Sequence, residues 1–357
     1  MCLIDFFKIT NADGKTWIMP SKNMQTGMML YQPSSLKGKM LKRLFPYSFW
    51  CRALRKRLKI KDTQHPVVDS LRKEIEQCFR ESDLEYSYFG GTPCVHRKAT
   101  IQVYKGRKIL GYCKVSESDE IFCLFKHEQM VLDELNKRGV HGVPSCLYCG
   151  EWSEGHYLFV QSTVKTLQSK CIHSMTDNAI RFLTDLKART SITCRFHETD
   201  EYEWIRFLKE KVNLLDNNER IVVCKCIELL DEYFKDKEYV FSAYHGDFTP
   251  WNMFEEKENL FVFDFEYAGL RYIPFLDIFH SMTQIGIFEK GLDARSLYGN
   301  FIKRKTMLAK FFTDVRIAYI AYLIDVTAKF VCREKNEIPD GTQRLLDVWI
   351  PLMGRLA

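Results

Sequence analysis

The residues best suited to chemistry lie in one stretch, 239–269, "YVFSAYHGDFTPWNMFEEKENLFVFDFEYAG". It holds His245 and Asp247, then Asn252 five residues on, then Asp264 a further twelve along and Glu266 just after it. Phosphoryl transfer needs a carboxylate near an attacking hydroxyl and oxygen ligands for a metal beside the nucleotide phosphates. Mg²⁺ takes carboxylate and amide oxygens and usually keeps several waters. An Asp and an Asn five apart can occupy the two ends of one tight loop. The apolar run 260–263 reads as a buried strand that delivers Asp264 to the same metal.

These residues need a scaffold. The chain has 357 residues, 46% apolar and 27% charged, an ordinary globular composition with length for two domains or lobes. Its thirteen cysteines are odd in number and scattered, which favours free thiols in a reducing compartment over a disulfide framework. The lone Cys146-x-x-Cys149 and Cys224-x-Cys226 pairs lack a second pair at finger-like spacing, so zinc is disfavoured. The first residues carry no basic leader, and no apolar run approaches the roughly 20 residues that span a bilayer. A cytoplasmic protein, peripheral at most to a membrane's inner face, is expected.

Charge is unevenly spread. Twelve Lys or Arg and no acidic residue lie between Gly14 and Lys61, whereas the rest carries 40 basic against 46 acidic residues. Residues 36–61 interleave ten of those cations with Leu, Phe, Tyr and Trp, and Pro46 splits the stretch into two short helices. It reads either as an interface for anionic lipid or a polyanionic glycan, or as a helix packed on the body with its cations solvated. Nucleic acid is not expected as a partner.

Around this, hydrophobic periodicity predicts a helix over 67–81. It then predicts strands in 84–89, on both sides of the turn at 105–107, and on both sides of the turn at 153–155. A helix over 119–138 interrupts them. The result is a five-stranded sheet with one inserted helix. After Lys165 the pattern is mainly helical, with candidates at 177–189, 201–213, 218–235, 274–288 and 314–334.

"HGDFTPWN" followed by "FDFEYAG" resembles the catalytic and metal-binding loops of the aminoglycoside phosphotransferase and choline kinase superfamily, which has a protein-kinase-like fold. "DFEYAGLRYIPFLDIFH", with Asp277, looks most like the choline kinase branch. The resemblance spans roughly 84–335 and is strongest at 245–269. It implies an α+β bilobal fold: an N-terminal extension (1–83), a nucleotide-binding lobe (84–164) with the five-stranded antiparallel sheet, and a helical lobe (165–357). It implies ATP and Mg²⁺, with Asp247 as catalytic base and Asn252 and Asp264 on the metal. His245, Glu266 and Asp277 become supporting residues.

In the first lobe it implies that Lys114 neutralises the α/β-phosphates and that Glu128 holds its ammonium, in competition with Glu120, Asp133 and Glu134. Gly90, Gly91 and Thr92 become a phosphate-cradling turn, and Gln161 and Thr163 flank a hinge that meets adenine. The implied reaction is transfer of the γ-phosphoryl group to a hydroxyl of a small molecule. The basic aromatic segment tilts the acceptor toward a sugar or glycan precursor. Choline, ethanolamine or an aminoglycoside are alternatives, as is an inactive scaffold. His-Gly-Asp in place of His-Arg-Asp, and the lack of an Ala-Pro-Glu segment, argue against a protein kinase.

Overall fold

The structure, a computed structural model, describes residues 5–33, 36–61, 65–91, 97–235 and 237–357. The chain forms two compact units. The first runs to Asn136 and adds Val143–Lys170 and Phe254–Phe261; the second comprises Lys137–Gly142, Cys171–Met253 and Val262–Ala357.

The first unit is built on an antiparallel sheet of eight strands. They are β1 (Phe6–Thr10), β2 (Thr16–Pro20), β3 (Lys59–Ile60), β4 (Glu85–Phe89), β5 (Ala99–Lys105), β6 (Lys108–Ser116), β7 (Cys146–Ser153) and β8 (His156–Ser162), in the order β3-β1-β2-β4-β5-β6-β8-β7. The expected count of five is therefore corrected to eight. Residues ahead of 84 supply β1, β2 and β3. β2 adds to the edge of β4 in the register Trp17↔Phe89 and Ile18↔Tyr88, with the Trp17 and Phe89 rings stacked at 4.9 Å. The outer strand β3 is only two residues long and carries Lys59, features that discourage further strand pairing.

Alternation along the strands sorts the side chains. Cys113 of β6 and Leu158 and Val160 of β8 enter a core shared with Leu71 and Ile75 of the helix Asp69–Phe79. Lys114 and Phe159, each one residue away and paired in register, take the opposite face. There the helix Asp119–Lys137 presents Ile121, Phe125, Glu128, Val131, Leu132 and Leu135 as its buried stripe.

The second unit is mainly helical. Its strands Ile192–Arg195, Glu238–Tyr244 and Gly269–Tyr272 form a small antiparallel sheet. The helices Asp177–Thr190, Asp200–Lys211, Asn217–Phe234, Leu276–Phe288 and Val315–Arg333 match the predicted ones within two residues. Two more, Ala294–Leu308 and Asp340–Leu356, were not anticipated. Val315–Arg333 is buried along nearly its whole length, polar Asp325, Thr327 and Lys329 included. Among the described residues no helix is long and apolar enough to cross a membrane.

Candidate active site

In the second unit the strand Glu238–Tyr244 runs directly into His245-Gly246-Asp247. Gly246 has φ +80°, and a Cβ there would fall 2.2 Å from the Tyr267 carbonyl oxygen, so only glycine fits. Asp277, in the first turn of Leu276–Phe288, clamps this loop. Its Oδ2 accepts from the His245 amide at 2.9 Å and its Oδ1 from the Gly246 amide at 3.1 Å. Burial pushes the Asp277 carboxyl up to about 7, against the pull of those two donors and of His280.

His245 ties the loop to the next one. Its Nδ1 accepts from the Asp247 amide at 3.1 Å, and its Nε2 lies 3.0 Å from the Phe263 carbonyl oxygen. Accepting at Nδ1 fixes the neutral ring with its proton on Nε2, donated to Phe263. Complete burial agrees, lowering the imidazole to about 4. His245 is thus a fastener, with neither nitrogen left to act as a base.

The Asp247 carboxylate is held from two sides. Asn252 Nδ2 donates to Oδ2 at 2.7 Å and to the Asp247 main-chain oxygen at 3.0 Å. His280 Nε2 lies 3.0 Å from Oδ1. Asn252 spends its amide nitrogen on Asp247 and leaves Oδ1, the atom a cation would take, outside those bonds. Its own carbonyl accepts from the Phe263 amide at 3.0 Å, pinning the start of the metal loop.

Asp264 follows the strand Asn259–Val262 with φ +71°. A left-handed aspartate costs roughly 1 kcal/mol or more, and such strain persists where surrounding structure enforces it. Its carboxylate and that of Glu266 come within 4.8 Å of each other. Two carboxylates and an amide oxygen are hard donors of the kind Mg²⁺ accepts, so the residues fit the expected metal.

Two residues here were not anticipated. His280 lies one helical turn beyond Asp277, and the Asp277-x-x-His280 spacing was the available signal, since i and i+3 share a helix face. Lys329 lies under the same loops, donating to the Tyr267 carbonyl at 3.2 Å and to Asp325 Oδ2 at 2.9 Å. Its ammonium sits 4.8 Å and 4.9 Å from the Tyr244 and Tyr272 rings. Trp251, beside Asn252, is exposed rather than packed inward.

In the first unit Lys114 Nζ donates to Glu128 Oε2 at 2.6 Å. Both are buried, and the ammonium sits 5.6 Å from the Phe159 ring centroid. A carboxylate on a buried apolar stripe requires a cation, and that picks Glu128 over Glu120, Asp133 and Glu134. Gln161 lies on β8 with its side chain buried, and its Oε1 has no hydrogen-bond partner among the described residues. Thr163 Oγ1 accepts from the Lys165 amide at 3.2 Å.

The glycine turn follows β4. Gly91 has φ +77°, and a Cβ there would fall 2.2 Å from the Lys98 carbonyl oxygen. The Gly90 amide donates to Thr16 at 2.9 Å, and its carbonyl accepts from Arg97 Nε at 2.5 Å. Thr92 lies outside the described residues. The predicted residues thus fall into two sets. Lys114, Glu128, Gly90, Gly91, Gln161 and Thr163 belong to the first unit; His245, Asp247, Asn252, Asp264, Glu266 and Asp277 belong to the second.

No family model matches this sequence, and neither does any curated protein. Solved structures do. A thermostable mutant of aminoglycoside phosphotransferase APH(4)-Ia, in its apo form, is 14% identical with a TM-score of 0.51, covering 80% of this chain and 97% of its own. A ternary complex of that enzyme with ADP and hygromycin B is 12% identical over the same shares, also at 0.51. The fold is that of this aminoglycoside phosphotransferase.

Proposed function

We propose that the protein is an ATP-dependent small-molecule kinase. In the reaction, the acceptor oxygen forms a bond to the γ-phosphorus and the bond to the β,γ-bridging oxygen breaks. ADP departs with the electron pair, and the hydroxyl proton passes to Asp247. The observation that carries this reading is the Asp247 carboxylate itself, oriented by Asn252 and His280 yet hardly consumed by them. Each carboxylate oxygen has two acceptor sites, so one site on each remains for a substrate hydroxyl.

Asn252 Oδ1 and Asp264, with Glu266 beside it, would hold Mg²⁺, which when bound offsets phosphate charge. Lys114, fixed by Glu128, would meet the α/β-phosphates. Gly91 supplies a turn that no other residue could adopt, while the engaged Gly90 amide limits that residue to shaping it. Gln161 and Thr163 would border the adenine. Most of the acceleration would come from positioning and charge stabilisation.

For the acceptor we propose a sugar or glycan precursor. Trp251, exposed next to Asn252, is the kind of flat surface on which a pyranose face stacks. The same ring would also attract a quaternary ammonium, which keeps a choline-type acceptor as the second reading. ADP release should be measured with Mg²⁺ and ATP against sugars, amino alcohols and aminoglycosides. Acceptor-dependent turnover with a neutral sugar is expected, falling about 10²–10⁴-fold in Asp247→Asn. Turnover confined to cationic acceptors would favour the second reading. Acceptor-dependent turnover undiminished in Asp247→Asn would remove the assigned base.

A further inference from the structure

The basic segment lies outside the chemistry above, and its two faces differ. The helix Leu36–Leu44 ends ahead of Pro46, and a 3-10 turn, Phe49–Cys51, leads into the helix Arg52–Leu58. One set of apolar side chains points inward. Phe45 is fully buried against Phe7, edge-on at 5.5 Å. Leu41, Cys51 and Leu58 pack on the same core as Trp17 and Met19. Arg55 fastens the connecting turn, donating to the carbonyls of Phe45 at 2.5 Å and Ser48 at 3.1 Å.

A second apolar set points outward. Leu36, Met40 and Leu44, each four residues apart, form a stripe exposed along its length. It continues into Tyr47, Phe49 and Trp50, which are 66%, 73% and 90% exposed. A segment serving only as scaffold needs one apolar face, and the inward set already provides it. An additional exposed patch of this kind marks an interaction surface.

We infer that this face seats the protein on an anionic phospholipid bilayer. Lys37, Lys39, Arg43, Arg52, Lys56 and Arg57 are all exposed around the apolar residues. Beside them a cavity of about 660 Å³ is lined by Phe49, Trp50, Arg52 and Lys56. The carboxylate in its lining, Asp5, is answered by Lys59 at 2.6 Å. A cationic, aromatic-walled recess suits an anionic head group. Trp and Tyr settle where hydrocarbon meets water, and cations on the rim are drawn to acidic lipid. Nucleic acid or an acidic glycan would answer the cations but would leave Leu36, Met40 and Leu44 in water. An acidic protein partner would answer the cations as well, and binding to vesicles of lipid alone is the outcome that separates a bilayer from it.

The test is co-sedimentation of the full chain with vesicles of phosphatidylcholine alone or mixed with phosphatidylglycerol. The bound fraction should be at least about tenfold higher on the acidic vesicles. It should fall as salt rises from about 0.1 M to 1 M and the screening length shrinks from about 10 Å to 3 Å. The Phe49→Ala/Trp50→Ala pair should lower it on acidic vesicles, and so should Lys37→Gln with Lys39→Gln and Arg43→Gln; unchanged melting temperatures would show these variants fold. Equal binding to both vesicle types would overturn the inference. So would binding to heparin with none to vesicles, which would give the face to a soluble polyanion.

Discussion

Asp247 receives donors from two different elements, and they constrain it differently. Asn252 belongs to the same loop and moves with it; His280 projects from a buried helix and fixes the carboxylate relative to the core. His280→Ala should therefore lower turnover, by up to about 10²-fold if the carboxylate swings by an ångström, while ATP affinity stays near wild type. Steady-state rates and nucleotide binding measured together separate this from a folding defect, and an unchanged kcat would reject the positioning role. His245 makes a second residue-level prediction. Its folded value of about 4 lies below the ordinary 6.5, so the unfolded chain takes up the proton first. Stability from this residue is complete above pH 6.5 and is lost as pH falls toward 4, about 3 kcal/mol in all. Asp277, raised by burial to about 7, slopes the opposite way over the same range. The comparison that isolates His245 is thus the difference in denaturation free energy between wild type and His245→Asn. That difference should shrink from pH 7 to pH 4, and a constant difference would contradict the neutral, buried ring.

At the scale of elements, the helix Asp119–Lys137 and β6 are coupled by one buried ion pair. Removing one partner strands the other charge, so Glu128→Ala should cost about 3–5 kcal/mol of stability. Denaturant unfolding checks this, and a loss under about 1 kcal/mol would mean water reaches Lys114. This pair was readable only through the family resemblance, since by itself Lys114 reads as a solvated strand lysine and Glu128 as one of several carboxylates on its helix. Other elements were less legible. Asp340–Leu356 contains Pro351, which reads as a helix terminator until packing of Trp349, Leu352 and Met353 overrides it. Ala294–Leu308 buries only Ala294, Leu297, Phe301 and Leu308, too sparse a pattern among its cations to declare a face. Lys329 looks like any helix lysine in sequence; only the Tyr244 and Tyr272 rings and Asp325, brought in from distant positions, reveal it as buried.

At the scale of the whole molecule, local signals and long-range pairing part company. β1 and β2 have weak periodicity of their own, and what makes them part of the large sheet is the Trp17↔Phe89 register, set by residues some seventy positions apart. No local pattern encodes that pairing, so the sequence reads as five strands where the sheet has eight. The outward face of 36–58 was likewise ambiguous, because inward and outward apolar residues alternate too closely to be sorted by spacing alone. The catalytic and metal loops were legible because their chemistry depends on residue type within one short stretch. The central proposal is that Asp264 and Asn252 hold the Mg²⁺ of a bound nucleotide. Calorimetric titration of ATP, with and without Mg²⁺, tests it without knowledge of the acceptor. Wild type and Asp247→Asn should both bind ATP in a Mg²⁺-dependent manner, Asn252→Ala more weakly, and Asp264→Ala with that binding abolished. Binding of ATP that is the same with and without Mg²⁺, in wild type and Asp264→Ala alike, would contradict it.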